Sequence, residues 1–117
     1  MIRTDKTNII NDRIDARIIE RLLEHYSFTA EEFIEDDGSV TLWSVELDLG
    51  VNEKSKEEAI RKLAADILEF SGFYYEDFDF WYSGANTKQH LPYILKALVL
   101  NDVEKIGELI VCRPGEI

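Results

Sequence analysis

The chain has a single cysteine, Cys112. That excludes an internal disulfide, on which small secreted domains often depend. No apolar run approaches the roughly 20 residues of a membrane span. The start, Met1-Ile2-Arg3-Thr4-Asp5-Lys6, carries no apolar signal core. These absences predict a cytoplasmic protein without membrane contact. The only two histidines, His25 and His90, lie far apart, and neither has a neighbour at metal-ligand spacing. There is no Cys-x-x-Cys, no His-x-x-x-His and no Gly-rich phosphate loop. Neither metal nor cofactor is expected. Cys112 has only Arg113 nearby to lower its pKa, which is weak support for a nucleophile. The acidic pairs Asp36-Asp37 and Glu76-Asp77 read as a turn and a solvated helix face. The chain is therefore not expected to be an enzyme.

Cations are also scarce. Thirteen Lys and Arg stand against 24 Asp and Glu, a formal net charge of -11. Phosphate backbones repel such a chain unless its few cations cluster, while a basic protein partner attracts it. Acidity that serves only solubility is the alternative. Three of the cations do fall on one helix face: Arg13, Arg17 and Arg21 recur every four residues. They are the candidate DNA contacts, set against simple pairing with Glu20 and Glu24.

What the sequence does have is the composition of one folded domain. It has 117 residues, 45% of them hydrophobic, enough for one modest core. Three parts are expected within that single domain: an N-terminal helix in 1–27, a sheet with a long helix in 28–82, and a helical segment in 83–117. Ile14, Ile18, Leu22 and Tyr26 form one apolar stripe, which predicts a helix from about Asp12 to Tyr26. Strands are predicted over Phe28–Ile34 and Val40–Leu49, joined by Asp36-Asp37-Gly38-Ser39. Gly38 there supplies the positive φ of a tight turn. Gly50–Glu53 breaks the pattern or adds a short pairing. Ser55 with Glu58 forms a capping box, and it opens a helix predicted to run to Trp81 through Gly72. A shorter helix follows from about His90 to Leu100, admitted by Pro92 in its first turn. Asn101-Asp102-Val103-Glu104 caps a last helix to about Val111. Pro114-Gly115 is expected to end the ordered chain. The fold class is α+β: a short antiparallel sheet packed against one long helix, with further helices at both ends.

Aromatic residues crowd one segment. Phe73-Tyr74-Tyr75, Phe78, Phe80, Trp81 and Tyr82 exceed what one buried stripe absorbs, so some rings should face out, with Phe73, Phe80 and Tyr82 foremost. Burial by flanking helices is the competing reading. A break at Ser83-Gly84 and a helix after Pro92 would bring Leu91, Tyr93 and Ile94 beside them. The expected partner-binding residues are Tyr75, Phe80, Trp81, Leu91, Tyr93 and Ile94, since aromatic anchors dominate interface energetics. Glu76, Asp77 and Asp79, interleaved among the rings, argue against nucleic acid as the ligand.

These residues also carry a family likeness. The strand, Asp-Asp-Gly turn and strand ending Val45-Glu46-Leu47-Asp48-Leu49, then Ser55-x-x-Glu-Ala59, resemble the HicB-like β-β-α arrangement of bacterial antitoxins. Leu63–Phe70, Tyr74-Tyr75-Glu76, Ala85-Asn86 and His90–Leu98 are similar to RelB-type antitoxins of RelE/RelB toxin–antitoxin systems. The likeness spans roughly residues 28 to 112. It implies a protein that binds and silences a cognate basic RNase toxin, as a homodimer, and that often represses its own operon. No ribbon-helix-helix or helix-turn-helix signature is present, so DNA binding is the doubtful half of that role. A small self-associating structural or regulatory protein is the alternative.

Overall fold

A computed structural model describes Arg17, Ile18, Arg21 and residues 23–116. Three antiparallel strands come first: β1 (Phe28–Ile34), β2 (Val40–Ser44) and β3 (Gly50–Glu53). Helix α1 (Lys56–Glu76) follows, then a short α2 (Phe78–Ser83), a 3₁₀ turn (Lys88–His90), α3 (Leu91–Leu100) and α4 (Val103–Leu109). Strand β4 (Ile110–Pro114) closes the sheet in the order β3-β2-β1-β4. The protein is α+β, as its periodicities predict. Of the predicted N-terminal helix, Arg17, Ile18 and Arg21 are helical, but residues 23–26 form turns instead, with the Tyr26 N–H donating to the Leu23 carbonyl (3.0 Å), and the other positions lie outside the described residues.

Alternation decides which sheet face is buried. Phe28, Ala30, Val40, Leu42 and Val51 turn inward, and Ala59, Leu63, Ala64, Ile67 and Tyr74 of α1 lie over them. Ile94 and Ala97 of α3, Ile106 of α4 and Ile110 of β4 complete the core. Glu32 shares the inward side and meets Lys56, at the start of α1, at 3.1 Å.

The Ser55 cap is made as predicted, and the second cap falls on Asp102, while Asn101 takes the left-handed end of α3 (φ 46°). The Glu58 backbone N–H donates to Ser55 Oγ (3.2 Å), and that hydroxyl donates to Glu58 Oε1 (3.0 Å). The Lys105 N–H donates to Asp102 Oδ1 (3.0 Å). Removing either cap by Ser55→Ala or Asp102→Ala is expected to cost about 1 kcal/mol, read as a lowered urea midpoint at constant slope.

Three boundaries differ from expectation. The second strand stops at Ser44 rather than Leu49, because Ser44 captures the chain into a turn. Its Oγ accepts from the Leu47 N–H (3.2 Å), and its carbonyl accepts from the Asp48 N–H (2.9 Å). Asp48 takes φ 61° there, and Gly50–Glu53 returns as β3. The alternation of Val45, Leu47 and Leu49 is thus a turn that buries Leu47 and exposes Val45.

The long helix breaks at Asp77 (φ -121°, ψ 52°), four residues short of Trp81. Gly72 lies uneventfully inside α1. The bend brings the Trp81 ring back onto Tyr74, a contact a straight helix would not make so closely. Finally, α4 ends at Leu109, and Ile110–Pro114 form a strand instead of more helix. The β-branched Ile110 and Val111 alternate inside and out, and β1 offers them an open edge. β4 runs parallel to β1, with Phe28 opposite Ile110, so the sheet is mixed. Order also continues past Pro114: the Gly115 N–H donates to the Glu32 carbonyl (2.8 Å).

Candidate protein-binding surface

The bend at Asp77 organises the aromatic residues into an inner and an outer set. Tyr74 is the pivot of the inner set and has no exposed surface. Its hydroxyl donates to the Thr87 carbonyl (2.8 Å), tying α1 to the loop after α2. Burial pushes its phenol pKa up. The Trp81 ring stacks on Tyr74 (6.1 Å, 16°), and Phe70 meets Trp81 edge-on (5.3 Å, 83°). Thr87 Oγ1 donates to the Trp81 carbonyl.

The outer set faces solvent. Tyr75 is 68% exposed, Phe80 64% and Phe73 54%. Phe78 stacks on Tyr82 (5.0 Å, 13°), and Lys88 Nζ lies 5.0 Å from the centre of the Tyr82 ring. Phe80 and Trp81 line a shallow cleft with Gly84 and Thr87.

The six residues expected to bind a partner therefore divide. Tyr75 and Phe80 are open at the corner. Trp81 and Leu91 are half-buried against the core. Tyr93 sits elsewhere, against Tyr26 (5.5 Å) and Phe28 (6.5 Å). Ile94 is 1% exposed and is a core residue rather than a surface anchor, because α3 turns it onto α1. Tyr82, expected to face out, is half-buried under Lys88. The sequence reading missed a further exposed ring, Trp43, on the sheet face opposite α1. The alternation Val40, Leu42, Ser44 against Thr41, Trp43 held that signal.

Electrostatics set this corner apart. From Leu63 to Thr87 the chain carries Asp66, Glu69, Glu76, Asp77 and Asp79 and no Lys or Arg. Arg17 and Arg21 are exposed and make no ion pair among the described residues, and Arg13 lies outside those residues. Among the described residues no group of His, Cys, Asp and Glu could hold a metal ion. No helix there is long and apolar enough to cross a membrane. Cys112 is half-buried, and burial raises its thiol pKa, only partly offset by Lys56.

His90 is also turned inward here. It is 7% exposed, and Nδ1 has no hydrogen-bond partner among the described residues. Burial holds its pKa below the ordinary imidazole value, against the opposing pull of Asp48. An unfolded imidazole takes up its proton as pH falls through about 6.5, while the folded one resists until lower pH. The unfolded state then binds more protons, so stability declines as pH drops below about 6.5 and levels off below the folded pKa. Urea unfolding at about pH 7.5 and 5.5 should show this decline, and His90→Gln should reduce it.

A small α+β domain whose unusual surface is an acid-flanked aromatic corner has the build of a protein that acts by contact. Residues 1–112 match the PHD-like family of antitoxins of RelE/RelB toxin–antitoxin systems. The chain belongs to that family, and the match takes in the N-terminal residues as well as the stretch from 28 to 112. It is also similar to a crystal structure from Syntrophomonas wolfei subsp. wolfei, described as the antitoxin part of a proposed toxin/antitoxin system. The two share 35% sequence identity at a TM-score of 0.79, covering 86% of this chain and 72% of that one. No curated protein matches the chain.

Proposed function

We propose that this antitoxin binds a cognate basic RNase toxin in the cytoplasm and neutralises it through the corner where α1 meets α2. The observation that carries this reading is the exposure of Tyr75 and Phe80 within a 63–87 stretch that holds five carboxylates and no cation. Carboxylates around such a corner speed encounter with a basic protein, and desolvated rings supply the affinity. Trp81 and Leu91 would contribute by holding Phe80 and the loop in place, and Tyr93 would extend the contact toward β1.

Co-expression with the adjacent open reading frame tests this. A growth-arresting product should be rendered harmless by this chain and should co-purify with it. Arrest that persists with the antitoxin abundant and folded would reject the proposal.

Repression of its own operon is a weaker part of the role. At physiological salt the isolated chain is expected to give no gel shift of promoter DNA at nanomolar protein, since its net charge opposes the phosphate backbone. A nanomolar shift would instead direct attention to Arg13, Arg17 and Arg21.

A further inference from the structure

The cleft after α2 is a concavity of about 380 Å³, lined by Phe80, Trp81, Ser83, Gly84, Asn86 and Thr87. Phe80 meets Trp81 edge-on (5.1 Å, 83°), so the two rings stand as walls at right angles. Trp81 is held from behind by its stack on Tyr74, and Thr87 Oγ1 donates to its carbonyl. Gly84 has a reason to be glycine. A Cβ there would lie 2.5 Å from Thr87 Oγ1, the group that holds Trp81. Ser83 turns back on its own helix, its Oγ donating to the Phe80 carbonyl (2.9 Å). The cleft is thereby left open. Asn86 is exposed at its rim, and its side-chain amide makes no hydrogen bond among the described residues.

Ring walls suit a flat, weakly hydrated group, and the surrounding charge suits a cation. Asp77 lies one turn before Phe80 and Asp79 is its neighbour in sequence, while α2 has no basic residue in its last turn. The corner already holds one cation on a ring, since Lys88 Nζ lies 5.0 Å from the centre of Tyr82. Among the described residues no cation does the same for Phe80 or Trp81. A guanidinium answers all of these features. It is planar, stacks on aromatic faces and is less hydrated than an ammonium. Its fork of N–H donors can serve the free Asn86 carbonyl oxygen and a carboxylate together, where a lysine offers a point charge. We propose that the cleft between Phe80, Trp81 and Asn86 receives an arginine side chain of the partner protein. This rests on the antitoxin reading for the partner's being a basic protein, and adds which of its side chains this cleft selects.

Two basic peptides titrated into the full-length chain test this without the toxin. One is Lys-Gly-Lys-Gly-Arg-Gly-Lys-Gly-Lys, and the other carries lysine at its centre, so their charges are equal. NMR follows the indole N–H of Trp81 and the side-chain amide of Asn86, with the Trp43 indole on the opposite sheet face as reference. The arginine peptide should move the Trp81 and Asn86 signals saturably and leave Trp43 still. Its dissociation constant should lie about fivefold below that of the lysine peptide. Phe80→Ala should bring the two constants together in a folded chain, since that ring is mostly exposed. Asn86→Leu should do the same, and it replaces Phe80→Ala if that variant melts early. Equal constants for the natural chain, shifts that extend to Trp43, or an arginine preference kept by the folded variants would each overturn the proposal. Co-expression decides the antitoxin reading separately. Neutralised growth arrest with equal peptide constants removes the arginine cleft alone, and an arginine preference without neutralisation removes the toxin reading alone.

Discussion

Tyr74→Ala should remove about 3–5 kcal/mol of stability, a large share of the 5–15 kcal/mol that a domain of this kind holds. The Tyr74 side chain both packs and hydrogen-bonds. Its ring has no exposed surface and touches Phe70, Phe78 and Trp81. Truncation opens a cavity among them, and the surrounding helices can collapse into it only partly. It also leaves the Thr87 carbonyl without the 2.8 Å hydrogen bond from the phenol. Tyr74→Phe separates the two effects: it keeps the ring and should cost about 1 kcal/mol. Urea unfolding of both variants checks the difference. Equal losses would mean that the hydroxyl, and not the packed ring, holds the corner together.

Joint replacement of Tyr75 and Phe80 by alanine should weaken toxin binding by about 4 kcal/mol if each is an anchor worth about 2 kcal/mol, nearly a thousandfold. The melting temperature should scarcely move, because both rings are mostly exposed. Ile94→Ala provides the contrast. It should lose about 2–5 kcal/mol of folding stability as a buried core residue, with any binding defect following from unfolding. Titration calorimetry alongside thermal melts distinguishes these patterns. Unchanged affinity in the folded Tyr75 and Phe80 double variant would move the toxin contact off this corner.

Much of this architecture was legible because it is locally encoded. Phe28–Ile34 is legible as the strand leading into a turn that Gly38 marks by its positive φ, and α1 is legible from Ser55 and Glu58. The errors arose where distant partners decide the outcome. Nothing in the local pattern of Ile110–Pro114 distinguishes a helix end from a strand. The open edge of β1 makes the choice. A local contact decides the other case: Val45, Leu47 and Leu49 alternate as a strand would, but the hydroxyl of Ser44, three residues before Leu47, turns the chain first. The aromatic surplus was visible in the sequence, and the prediction that Phe73 and Phe80 face out holds. Which rings turn inward was not visible, because the bend at Asp77 brings Trp81 onto Tyr74 and the docking of α3 buries Ile94.

The parallel pairing of β4 with β1 has a consequence for how the chain is made. The first strand waits for its neighbour until Pro114 has left the ribosome, since Phe28 pairs with Ile110 and Glu32 with Pro114. Helices close over contacts of short sequence separation and form early, while this pairing closes a loop of nearly the whole described chain and comes late. A nascent or freshly released chain thus passes through a stage in which the hairpin and α1 exist but one sheet edge is bare. Such an edge invites pairing with other strands. The interval between synthesis and a completed sheet is then when this antitoxin is most vulnerable to aggregation and proteases, and β4 is the element that ends it.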